Sequence, residues 1–83
     1  MRHARAAALD ELEDVLLAVR AFEGLTERKR GAFYRKSAGF LHFHEDPEGL
    51  FADLKVGREG ERFRVSTPEE QSALLTRVAI ELA

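Results

Sequence analysis

Cysteine, tryptophan and asparagine are absent from these 83 residues, and methionine, tyrosine and glutamine occur once each. Without cysteine there are no disulfides, no thiolate nucleophile and no thiolate-ligated zinc. No apolar run approaches the roughly 20 residues that span a bilayer. A strong charge of either sign is missing too: 13 basic and 15 acidic side chains leave a net −2, which gives no global pull toward nucleic acid. Met1-Arg2-His3-Ala4-Arg5 is basic, but no apolar stretch follows it, so the expected location is cytoplasmic. No familiar catalytic signature occurs.

What is present describes one small domain. At 45% hydrophobic and 34% charged, the chain is too apolar for disorder and too charged for a membrane protein. Its length suits a single core. Ten arginines against three lysines, with few thermolabile side chains, suit a thermophilic bacterium.

From Arg5 to Phe22, Leu9, Leu12, Leu16 and Val19 recur at spacings of three and four, which predicts an amphipathic helix stopped near Gly24. Leu25 to Gly31 reads as a polar connector carrying Arg28, Lys29 and Arg30. The period then changes to two. Ala32–Lys36, Gly39–Glu45, Leu50–Val56 and Glu61–Val65 predict a meander of four antiparallel strands, or three if one fails to pair. Asp46-Pro47-Glu48-Gly49 has turn chemistry, and two glycines bracket Gly57-Arg58-Glu59-Gly60. Thr67-Pro68-Glu69-Glu70 carries the signature of a capped helix start, and Leu74, Leu75, Val78 and Leu82 continue as its apolar stripe. The expected fold is α+β, with both helices packed on one face of the sheet.

Turn lengths set register, and register sorts side chains between faces. The expected pairings are His42 with Asp53, Asp53 with Arg64, and Phe33 with His42. They place Ala32, Tyr34, Leu41, Phe43, Leu50, Ala52, Leu54, Val56, Phe63 and Val65 on an apolar face. The opposite face then carries Phe33, Arg35, Phe40, His42, His44, Phe51, Asp53, Lys55, Arg62 and Arg64.

This second face is the candidate binding surface, and its residues admit several readings. His42 and His44 lie on one side of a strand, roughly 6.5–7 Å apart. With Asp53 they form a candidate metal set, a general acid–base pair, or a structural His42–Asp53 pair with His44 in solvent. Three phenylalanines among four cations follow the stacking-plus-charge logic of single-strand readers, with Arg28, Lys29, Arg30 and Lys36 extending the basic surface. Three exposed phenylalanines equally suit burial in a homodimer. If one helix covered each face, they would simply be core.

Gly31-Ala32-Phe33-Tyr34-Arg35-Lys36, Gly39 to His44 and Leu50 to Val56 together resemble the MmcQ/YjbR-like group of small bacterial proteins. That resemblance spans about half the chain and implies an α+β fold with a proposed DNA-binding role; it transfers no functional residue. The reading taken forward is a non-catalytic binding module without cofactor, homodimeric through its polar–aromatic face. Nucleic-acid binding and a metal-dependent or His-assisted enzyme are the alternatives.

Overall fold

A computed structural model describes residues 1–83. The elements run β1 (Arg2–His3), α1 (Ala6–Glu11), α2 (Glu13–Arg20), β2 (Thr26–Lys29), β3 (Ala32–Arg35), β4 (Ala38–Asp46), β5 (Gly49–Val56), β6 (Glu59–Arg64) and α3 (Pro68–Leu82). The fold is α+β, with an antiparallel sheet of six strands rather than four and three helices rather than two. The strand order is β2-β3-β4-β5-β6, and β1 pairs with the second half of β4.

The two additional strands carry little sequence signal. Strand β2 is Thr-Glu-Arg-Lys, almost wholly polar and at the sheet edge, so it shows no apolar alternation. Strand β1 is two residues long, too short for any periodicity to register. The first predicted helix divides at Leu12, whose backbone (φ −94°, ψ 5°) leaves the helical region. Leu9, Leu12 and Leu16 are nonetheless all buried across the break.

The helices pack on one face of the sheet. Their contributions to the core include Leu9, Leu12, Val15, Leu16, Val19, Leu74 and Val78; the sheet adds Phe33, Phe40, Leu41, Phe43, Ala52 and Leu54, with Val65 just beyond β6. Thr67 Oγ1 accepts from the Glu70 N–H while the Glu70 carboxylate accepts from the Thr67 N–H, so α3 starts with the predicted capping box. A chain of ion pairs runs Asp10–Arg30–Glu13–Arg20–Glu27, and Glu27 also accepts from the Gly31 N–H. It fastens the first two helices to the β2–β3 hairpin. Arg30 therefore belongs to the helix side, not to a basic surface.

Register decides which residues reach the uncovered face. Between β4 and β5 it is as predicted: Leu41 opposes Leu54, His42 opposes Asp53 and Phe43 opposes Ala52. Between β5 and β6 it lies two residues away, because the turn is tighter than Gly57–Gly60. Val56 opposes Glu59, and Asp53 opposes Arg62 instead of Arg64. A two-residue shift preserves the faces.

Between β3 and β4 the difference is larger. The turn falls at Lys36 and Ser37, both in the left-handed region (φ 50° and 70°), where the glycine or asparagine that advertises such a turn is missing. Phe33 opposes Leu41, Ala32 opposes His42, and the register then shifts across a bulge containing Phe40. This slip turns Phe33 and Phe40 into the core (1% and 5% exposed) and brings Ala32 and Tyr34 to the opposite face. Arg35 moves to the helix side, where it donates to the Glu81 carbonyl oxygen.

Candidate binding face

The sheet face away from the helices is bare. Of the ten residues expected there, it holds His42, His44, Phe51, Asp53, Lys55, Arg62 and Arg64; Phe33, Arg35 and Phe40 are on the other side. Tyr34 and Lys29 join it through the β2–β3 register, and His3 joins it opposite His44. All three histidines of the chain therefore share one face. The position of His3 was invisible in the sequence, because it depends on the two-residue strand β1.

The polar geometry is connected. Asp53 receives Arg62 through two hydrogen bonds, Nε to Oδ1 at 2.8 Å and Nη2 to Oδ2 at 3.1 Å. His44 Nε2 lies 3.2 Å from the same Oδ2, whereas His42 makes no ion pair with Asp53 despite opposing it. The expected His42–Asp53 pair is thus a diagonal His44–Asp53 pair. The Arg62 hydrogen bonds, followed by the Arg62 charge and the nearby histidines, hold the Asp53 carboxyl below its usual range. His3 Nε2 bonds the Arg30 carbonyl oxygen at 3.0 Å and meets His44 edge-on with ring centres 6.3 Å apart. His44 Nδ1 is buried without a partner.

On the β3 side, His42 meets the Tyr34 ring edge-on at 5.5 Å, and the Arg28 guanidinium sits 4.5 Å from the centre of the same ring. Burial first, then His44 and His3, hold the His42 imidazole below its ordinary range. Five cations, Arg28, Lys29, Lys55, Arg62 and Arg64, share this face with Tyr34 and Phe51; Arg64 stands opposite Phe51, and Arg62 and Arg64 are ion-paired with Asp53 and Glu70. The two carboxylates of the face are already engaged: Asp53 as described, and Asp46 by the Glu48 N–H within its turn.

Asp53 is committed to Arg62 and His44, and no three His, Asp or Glu side chains converge in a metal-holding arrangement. No helix is long and apolar enough to cross a membrane. Neither a family model, nor a curated protein, nor a solved structure matches the chain.

Proposed function

We propose that this protein is a small binding module whose bare sheet face takes single-stranded nucleic acid. One observation carries the reading: an uncovered face with the Arg28 guanidinium over the Tyr34 ring, Arg64 opposite Phe51, Lys29 and Lys55 free of ion pairs, and its carboxylates internally engaged. Such a surface offers stacking platforms for bases and charge for the phosphate backbone. The net −2 is no obstacle, because much of the acid lies elsewhere. Asp10, Glu13 and Glu27 pair with Arg20 and Arg30 on the helix side, and Glu61 pairs with Arg77 of α3. The edge strands carry charge, Thr-Glu-Arg-Lys on β2 and Glu-Gly-Glu-Arg-Phe-Arg on β6, which discourages strand addition and leaves the face as the working surface.

Self-association through this face has less support than three exposed phenylalanines would have supplied. Two of the three are core, and a two-fold face-to-face pairing would set the cations of one copy against those of the other.

Fluorescence polarisation with a labelled random strand of about 12 nucleotides tests the proposal. Binding should weaken with salt with a log–log slope of about −2 to −4, and Arg28→Ala/Lys29→Ala should reduce that slope. Absence of binding at low salt overturns the reading. So does a light-scattering mass of twice 9.4 kDa that Phe51→Asp halves, which would assign the face to a homodimer instead.

A further inference from the structure

The bare face sinks into a depression of about 300 Å³ near the β3–β4 and β5–β6 turns. Its origin is a local lack of side chains. By alternation with His42 and His44, residue 40 should point outward, but the bulge turns Phe40 into the core. Gly39 beside it and Gly60 on β6 have no side chain to offer. Lys55 stands directly opposite Gly60, and His42, Asp53, Arg58 and Glu59 join them in the lining, with Phe40 and Leu54 beneath.

Charge selects the ligand. Lys55 and Arg58 have no carboxylate within ion-pair distance, as is true of Arg2, Arg28, Lys29, Arg35 and Lys36 elsewhere, whereas Arg5, Arg20, Arg30, Arg62, Arg64 and Arg77 each have at least one. Asp53 is already held by Arg62 and His44. Glu59 borders the depression at its rim, and its pairing with Val56, which packs against the core, places it on the helix-facing side of the strand alternation. Two cations without an ion-pair partner thus share a floor that is open backbone at Gly60, while the His42 ring lies over Gly39. A phosphomonoester, with a charge of about −1.5 to −2, matches two cations where a carboxylate matches one. The volume is at the small end for ligand sites, which suits a compact charged molecule.

A neighbouring hollow of about 320 Å³ shares Gly39, Phe40 and Lys55 and continues round the sheet end to Arg35 and Glu81. Anions are disfavoured there. Arg35 donates to the Glu81 carbonyl at 3.2 Å, and the C-terminal end of α3 presents its negative dipole.

We infer that the depression on the bare face is a phosphomonoester site, in which Lys55 and Arg58 contact the phosphate, Gly60 admits it to the backbone, and His42, lying over Gly39, meets the attached ring or sugar. The phosphate comes either from a free nucleotide or from the phosphorylated end of a single strand. Only the second source rests on the strand-binding reading.

Amide chemical-shift titration of the full chain with adenosine monophosphate, and with adenosine as control, tests the site. The monophosphate should shift Gly39, Lys55, Arg58 and Gly60, and adenosine should not. Lys55→Ala/Arg58→Ala should weaken binding at least about tenfold. Gly60→Leu should block it while leaving the fold intact, because a Cβ there meets nothing within 4 Å. No response to the monophosphate at millimolar concentration overturns the inference, as does binding that survives both variants. A strand bearing a 5′-phosphate that outcompetes its 5′-hydroxyl counterpart, with the preference lost in Lys55→Ala, identifies a strand end. Equal strand affinities beside saturable monophosphate binding identify a free nucleotide. If the hydroxyl strand fails to bind while the monophosphate binds, the strand reading falls and the site stands; the converse result removes the site alone.

Discussion

His44 Nε2 lies 3.2 Å from Oδ2 of Asp53, although the residue facing Asp53 across the β4–β5 ladder is His42. The diagonal contact arises because Arg62, opposite Asp53 on the other flank, binds both carboxylate oxygens and turns the group within reach of His44. Asp53 thereby neutralises a cation that would otherwise face solvent. It restrains the positive potential of the bare face more than it holds the fold together.

Asp53→Asn should therefore separate stability from binding. The pair is partly exposed, with Arg62 at 54% and Asp53 at 32%, so its loss should cost less than about 1 kcal/mol. Releasing Arg62 and removing a negative charge should strengthen single-strand binding and steepen its salt dependence. Urea denaturation beside polarisation titrations measures both. A large stability loss with unchanged binding would contradict this division of roles.

Phe33, Phe40 and Phe51 should behave differently. Phe33→Ala and Phe40→Ala each empty a core position and should cost about 3–5 kcal/mol, a large share of the stability of so small a domain. Phe51→Ala removes a half-buried ring from the bare face and should cost clearly less while weakening strand binding. Equal losses at Phe33 and Phe51 in urea melts would contradict the β3–β4 register.

The same comparison shows why some of the fold was readable and some was not. The β4–β5 ladder was legible because Asp46-Pro47-Glu48-Gly49 spells its turn chemically and the flanking apolar positions alternate cleanly. The β3–β4 ladder was not. Lys36 and Ser37 adopt left-handed backbone without glycine, and the Phe40 bulge leaves the alternation uninterrupted on paper while shifting it by one residue in space. Seven of the ten site residues survived because the β5–β6 shift was an even number. Phe33, Arg35 and Phe40 were lost because the β3–β4 slip was odd. Tyr34 and His3 entered for reasons no local pattern contains: the first by that slip, the second by a strand of two residues.

Acid should weaken the fold through His42. Its imidazole is held below the ordinary value by burial, then by His44 and His3, with Lys29 adding to the effect and Asp53 opposing it. A depressed histidine means the unfolded chain binds the proton more readily. The His42 contribution is therefore complete above its unfolded value of about 6.5 and is lost as pH falls from there through the folded one. His42→Gln should flatten the dependence of urea stability on pH in that interval. A wild-type slope retained in the variant would assign the effect to other groups.

Gly31 offers a sharper test of how the β2–β3 turn meets the first helix. Its φ is +81°, and a Cβ there would lie 2.6 Å from Leu9 Cδ2, inside the packed core. Gly57 has a similar φ of +62° but nothing within 4 Å. Gly57→Ala should therefore show only the left-handed penalty, about 1–2 kcal/mol. Gly31→Ala should add the cost of overpacking, about 1–3 kcal/mol more. Combining Gly31→Ala with Leu9→Ala should cost less than the sum of the two single changes, because trimming Leu9 removes the atom the new methyl group strikes. Strict additivity in denaturant melts would mean that the Gly31 penalty is purely conformational and that the hairpin does not press on the helix.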